Sequence, residues 1–160
     1  MPSILFVCTG NMYRSPLAAG FFLKQLQQAG QGGSWTVDSA GTWTVSDLPL
    51  PEQTIELAKS FGLDLSDQLT RLVDQDLLEA RGLILVMERG HKEALGIEFP
   101  SISGRLHLIS EVADHLTYDI PDPVSSDSSL AEIAAGLFQL IERGFRNIVE
   151  LALSFQTSDT

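Results

Sequence analysis

Cysteine is almost missing from this chain: one occurs in 160 residues, at position 8. A lone thiol excludes an internal disulfide framework and any metal site built from several thiolates. Histidine is scarce as well. Glu88 and His91, three apart, could share a helix face as metal ligands, but no further His or Cys joins them at ligand spacing, so no metal site is expected. His107 and His115 read as ordinary core or surface residues. No apolar run approaches the length of a bilayer-crossing helix, and the first residues lack the basic flank and longer apolar core of a signal peptide. No membrane association and a cytoplasmic location are therefore expected. Basic residues are outnumbered, ten against twenty-one acidic ones, for a net charge of −11. That balance excludes non-specific binding to nucleic acid, which needs a basic surface.

One further absence is local. Residues 1–37 contain Arg14 and Lys24 but no Asp or Glu, so this segment carries +2 while the remaining 123 residues carry −13. A buried strand and helix explain part of the gap. The outer face of that helix, however, uses Gln25, Gln27 and Gln28 where acids would be ordinary. In an acidic chain, an anionic ligand needs a locally spared site.

What the spared segment holds is Val7-Cys8-Thr9-Gly10-Asn11-Met12-Tyr13-Arg14-Ser15-Pro16. Ser3 to Val7 reads as a buried strand and Pro16 onward as a helix. The stretch between them lies at the carboxyl end of a strand and the amino end of a helix, where α/β proteins hold phosphate. Helical spacing through Leu17, Phe21, Phe22 and Leu26 ends at the turn Gly30–Gly33. Trp35-Thr36-Val37 reads as a strand, Pro51 to Phe61 as a helix, and Leu72 to Ala80 as a short helical segment. Leu83 to Met87 is a continuous apolar run, as expected of a central parallel strand. A short helix near Arg89–Leu95 and a fourth strand at Arg105–Ile109 follow. Ser129 with Glu132 spells a capping box, and apolar residues then repeat from Leu130 to Val149 at helical spacing. Gly136 and Gly144 each cost that helix about 1 kcal/mol relative to Ala, which close packing would explain. The carboxylates from Asp64 to Glu79 read as a solvated surface. The expected fold is α/β: one doubly wound domain over residues 1–160, with a parallel sheet of about four strands, helices on both faces, and residues 155–160 as a loose tail.

The loop suits nucleophilic chemistry on phosphorus. A helix amino terminus, a ring of backbone N–H groups and a nearby arginine all favour the thiolate of Cys8. Arg14 offers paired donors to two phosphoryl oxygens. Gly10 allows a tight turn, Asn11 can brace the loop, and Ser15 can donate toward the sulfur, besides serving as a helix cap. In-line attack would give a phosphocysteine that water later hydrolyses. The leaving group needs a proton, for which Asp122, between Pro121 and Pro123, is the candidate, with Asp119 open as a second.

Cys8 to Pro16 resembles the signature loop of low-molecular-weight protein tyrosine phosphatases. Asp38 to Thr42, Trp43, Gly62 to Ser66 and Asp122-Pro123 follow in the family's order, over nearly the whole chain. The resemblance implies hydrolysis of protein phosphotyrosine without metal or cofactor, and inhibition by inorganic phosphate and other oxyanions. It implies Cys8 as nucleophile, Arg14 as phosphate clamp and Asp122 as proton donor. Thr9, Gly10, Met12 and Tyr13 complete the phosphate-binding loop. Asn11, Ser15 and Ser39 hold it together, and Trp43 walls the cleft. The chain departs from the family in placing Val124-Ser125 where aromatics often follow Asp-Pro, which thins one wall. Tyr13 stands where a second cysteine is frequent, and Gln68 where a histidine often supports the loop. Arsenate reductases begin with a similar loop but need further cysteines. Relatives acting on phosphoarginine tend to carry Thr at the place of Met12. A non-catalytic phosphate-binding module is the remaining alternative.

Overall fold

The computed structural model describes residues 1–156. Four parallel strands, β1 (Ser3–Cys8), β2 (Thr36–Gly41), β3 (Leu83–Val86) and β4 (Leu106–Leu108), lie in the order β2-β1-β3-β4. The chain leaves β1 toward one edge and returns across it toward the other. The switch of direction therefore falls at the carboxyl ends of β1 and β3, where doubly wound sheets open a crevice.

Six helices cover the sheet: α1 (Arg14–Gln28), α2 (Glu52–Ser60), α3 (Gln75–Glu79), α4 (Arg89–Glu98), α5 (Ile109–Asp114) and α6 (Leu130–Ser154). Strand alternation assigns side chains to two cores. Ile4, Phe6, Cys8, Leu83 and Leu85 face α1, α5 and α6, while Leu5, Val7, Ile84 and Val86 face α3 and α4. Burial on both faces is why β1 and β3 read as unbroken apolar runs. It also fixes Cys8 on the α1 side. No helix among the described residues is long and apolar enough to cross a membrane.

The element boundaries differ from expectation at informative places. Helix α1 begins at Arg14 rather than Pro16, and Tyr13 stands at its N-cap without a side-chain bond. Ser15 is therefore not the cap; its hydroxyl is used elsewhere. Strand β2 runs on through Asp38, Ser39 and Ala40 to Gly41, because these polar residues pair with Leu5 to Cys8 of β1. Trp35 precedes the strand and packs on Phe22, with ring centroids 5.6 Å apart. The segment expected from Leu72 shortens to α3, because Asp74 caps it by accepting from the Leu77 N–H at 2.7 Å. Helix α5 was not foreseen: it continues an apolar run without a break and ends at His115 in the left-handed region, φ 58°, with no glycine to announce it. The Ser129–Glu132 cap forms, with Ser129 Oγ accepting from the Glu132 N–H at 3.1 Å. Phe155, assigned to a loose tail, packs against the core; residues 157–160 of that tail lie outside the described residues.

The two helix glycines have different reasons. A Cβ at Gly144 would meet Ala113 Cβ at 2.4 Å, so α5 and α6 touch through it. At Gly136 a Cβ would meet nothing within 4 Å, and close packing does not explain this glycine. Beside that contact, Arg143 clamps Asp114 through two bonds of 2.8 Å, and the Tyr118 hydroxyl donates to the same carboxylate at 2.6 Å. The Arg143 guanidinium is the largest influence holding Asp114 down to about 2.

Urea denaturation should find Gly144→Ala less stable by about 2 kcal/mol, the usual cost of overpacking. Gly136→Ala should be more stable by about 0.5–1 kcal/mol. The Asp114 contribution is full above the ordinary value of 3.8 and is lost as pH falls toward about 2. Asp114→Asn should thus cost about 1 kcal/mol at neutral pH after solvent screening. It should also flatten the acid loss of stability in that window.

Candidate active site

The loop from Thr9 to Tyr13 is held with its carbonyls turned outward. Cys8 O accepts from the Thr42 N–H at 2.9 Å, Thr9 O from the Trp43 N–H at 3.0 Å, and Met12 O from the buried Thr54 hydroxyl at 2.8 Å. Because a peptide unit is planar, outward carbonyls direct the following N–H groups inward, making the concave donor surface an anion needs. Gly41 is required for this: a Cβ there would lie 2.5 Å from Thr9 O and 3.0 Å from the Asn11 nitrogen.

The tight turn falls at Asn11 and not at Gly10. Asn11 has φ 57°, whereas Gly10 has no positive φ. Asn11 is wholly buried, and its carboxamide joins three elements. Nδ2 donates to Ser15 Oγ at 2.8 Å and to Ser39 Oγ at 2.9 Å, while Oδ1 accepts from the Arg71 N–H at 2.8 Å. Gln68 donates to Ser39 Oγ at 2.9 Å, so a bond survives where relatives often carry histidine. Since Ser15 Oγ already accepts a hydrogen bond from Asn11, its own O–H is free to donate to Cys8 Sγ at 3.0 Å or to Ala40 O at 3.3 Å. A thiolate, as the charged acceptor, takes it.

Arg14 is only 2% exposed. Nη1 donates to Ile120 O at 2.7 Å, and Nη2 meets Glu88 Oε2 at 2.7 Å. Two donors committed to the protein fix the guanidinium plane and leave the others for an oxyanion. Asp122 Oδ2 lies 3.8 Å from Nη2, too far for a hydrogen bond and close enough for attraction. The other Asp122 oxygen accepts from the Val124 N–H at 2.9 Å. The loop carrying Asp122 is docked on the sheet, since the Ile120 N–H donates to Met87 O at 2.9 Å. Asp119 turns away to receive the Arg89 backbone N–H at 2.8 Å and the Arg89 side chain at 3.1 Å. Burial pushes its carboxyl up, but donation from Arg89 outweighs this and leaves it below the ordinary range.

Cys8, Thr9, Gly10, Met12, Tyr13, Arg14, Asp122 and Val124 line one cavity of about 190 Å³. Asn11, Ser15 and Ser39 lie buried beneath it. The Trp43 side chain is outside this lining and 84% exposed. Sequence reasoning missed Glu88, Thr54 and Gly41 as structural partners of the loop. Glu88 and His91, considered as metal ligands, are instead occupied with Arg14 and Thr9: Glu88 bonds Arg14, and His91 Nε2 lies 2.8 Å from Thr9 Oγ1. The acid-free segment does not make an acid-free site, because the fold brings Glu88 and Asp122 back to its one buried arginine.

A family model described as low molecular weight phosphotyrosine protein phosphatase matches residues 3–156. The chain belongs to this family. Low molecular weight protein-tyrosine-phosphatase YfkJ of Bacillus subtilis is 32% identical over 127 residues, 77% of this chain and 81% of that one. An arsenate reductase of Halalkalibacterium halodurans is 34% identical over 104 residues, 65% of this chain and 68% of its own length. The tyrosine phosphatase Wzb from Escherichia coli K30, solved in complex with sulphate, superposes with a TM-score of 0.77 at 30% identity, covering 92% of this chain and 99% of that chain.

Removing the Asn11 carboxamide should loosen this phosphatase's loop at its centre. Asn11→Ala leaves the Arg71 N–H without its acceptor, takes one donor each from Ser15 and Ser39, and puts a Cβ-bearing residue in the left-handed region without compensation. A loss of about 3 kcal/mol in urea denaturation is expected. Asn11→Gly, which relieves only the backbone strain, should recover about 1 kcal/mol of it.

Proposed function

We propose that residues 1–160 form one phosphatase domain that hydrolyses phosphotyrosine on protein substrates through a phosphocysteine. The observation that carries this reading is the 3.0 Å contact of Cys8 Sγ with Ser15 Oγ, at the floor of a cavity that Arg14 and Asp122 also line. In the first step the sulfur attacks phosphorus in line, the bond from phosphorus to the tyrosyl oxygen breaks, and Asp122 gives its proton to that oxygen. The inward N–H groups of the loop and the Arg14 guanidinium hold the three equatorial oxygens as charge shifts among them. In the second step Asp122, now a carboxylate, takes a proton from water, the water oxygen bonds phosphorus and the sulfur leaves. Ser15 supports both steps by donating to the sulfur when it is negative. The commitment of Asp119 to Arg89 supports Asp122 as the acid.

Inorganic phosphate and other oxyanions should compete for the same donors, which the sulphate-bound relative supports. Exposed Val124, in the cavity lining, and exposed Trp43, whose backbone holds Thr9 O, offer apolar surface to an aromatic leaving group. Arsenate reduction is disfavoured because the chain has no second thiol to resolve an arseno-thiol adduct. A nucleophile that must stay reduced favours a cytoplasmic setting.

Hydrolysis of an aryl phosphate by three proteins tests the mechanism. Cys8→Ser should show no turnover, and Asp122→Asn should be slower by about 10²–10⁴-fold, the scale of a lost general acid. Full activity in the serine variant would sink the covalent route.

A further inference from the structure

We propose that His91 is a positioning residue: its neutral ring pins Thr9 of the phosphate loop and leaves Glu88 to Arg14, and its protonation releases both. The inference rests on the reading of the Cys8 loop as an oxyanion site. His91 is nearly buried, in the first turn of α4, and its two nitrogens face different groups. Nδ1 lies 3.2 Å from the Glu88 backbone nitrogen, which can only donate, so Nδ1 must accept. The proton of the neutral ring is then on Nε2, which donates to Thr9 Oγ1 at 2.8 Å. Nε2 is also 3.5 Å from Glu88 Oε2, the atom that bonds Arg14 at 2.7 Å. One carboxylate oxygen is therefore shared between the phosphate clamp and a ring that can acquire charge.

Protonation would place a second N–H against the Glu88 N–H, two donors in opposition, and would force the ring to move. The Thr9 bond would break with that movement. The new imidazolium would draw the Glu88 carboxylate from Arg14, and the clamp would keep only Ile120 O of the two partners that fix its plane. The charged groups acting on the ring are Glu88 at the cap of α4, Arg14 of α1, and Asp119 and Asp122 of the acid loop. Burial is the strongest influence and lowers the affinity for a proton. Glu88 opposes it, Arg14 adds to it, Asp119 and Asp122 oppose it, and the net direction is below the ordinary imidazole range. At neutral pH the ring is accordingly neutral and the loop is pinned; acidification below the ordinary range of histidine is what unpins it.

Sulfate binding by calorimetry separates this role from a merely structural one, because sulfate keeps two charges throughout mild acid and no turnover is needed. The proteins are wild type, His91→Gln, His91→Asn and His91→Ala. Glutamine places a donor near the position of Nε2 but does not titrate; asparagine reproduces only the Nδ1 acceptor. At neutral pH, His91→Gln should bind sulfate within about threefold of wild type, with His91→Asn and His91→Ala about tenfold weaker. On acidification to about pH 4.5, wild type should weaken about tenfold more than His91→Gln. Every other group of the site is the same in all four proteins, so its share cancels in the comparison. Equal pH dependence in wild type and His91→Gln would overturn the proposal, as would His91→Asn binding as well as His91→Gln. Absence of sulfate binding by wild type would instead overturn the oxyanion reading beneath it.

Discussion

Everything in this site hangs on one buried carboxamide. A loop that turns its N–H groups inward must hold a strained backbone in place, and Asn11 does so with a left-handed φ that costs about 1–2 kcal/mol by itself. Three hydrogen bonds, to α1, to β2 and to the segment at Arg71, offset that cost. The carboxamide is wholly buried, so its Oδ1, with Arg71 as the partner, would be left unsatisfied if that bond were lost, at more than the bond's net contribution in water. The same carboxamide decides the chemistry above it. By donating to Ser15 Oγ it leaves the serine proton no role but to face outward, toward Cys8 or Ala40 O. A packing constraint at the floor of the loop thus becomes an electrostatic one at the sulfur.

The second organising element is Arg14, the largest fully buried side chain. A buried guanidinium is tolerable only when paired, and its three partners come from two places. Glu88 follows β3, Ile120 supplies a carbonyl from the loop after α5, and Asp122 approaches from the same loop. The arginine therefore ties the Cys8 loop to the loop that carries Asp122. Asp119 completes the frame by securing that loop to the amino end of α4 through Arg89. Two neighbouring aspartates are separated in role by their partners: one is committed to a cation and a backbone donor, while the other lines the cavity.

Much of this was legible in the chain, for reasons that also explain the gaps. The apolar runs of β1 and β3 could be read because both faces of the sheet are covered, and the Cys8 loop because it lies between such a strand and a helix. Contacts that join distant segments carried no local signal. Nothing at Glu88 announces a salt bridge to Arg14, and nothing at Thr54 announces a bond to Met12 O. The expected strand stopped at Val37 because Asp38 and Ser39 are poor strand residues by propensity; pairing with β1 overrides that preference. Gly10 drew attention as the turn residue by its freedom, yet the left-handed position went to Asn11, whose side chain can satisfy what the turn exposes. Gly41, four residues past the expected end of β2, is the glycine the site needs, and only the approach of Thr9 O reveals why.

The buried frame and the rim answer different questions. Convergent N–H groups, a thiol with a hydroxyl donor and a paired arginine equip a protein to attack a tetrahedral oxyanion, and that equipment alone does not choose phosphate ester over arsenate. The choice follows from what surrounds it. Reduction of arsenate must end in a disulfide, which a chain with one cysteine cannot form within itself, whereas ester hydrolysis needs only an acid and water. Selection among phosphate esters then falls to residues that the frame does not constrain. Val124 and Trp43 are both largely exposed, and neither is bound into the network around Asn11. Changes to those side chains leave the bonds of the sulfur, the guanidinium and the aspartate in place. The frame is rigid because its side chains are buried and bonded to one another, while the Val124 and Trp43 side chains are free to vary.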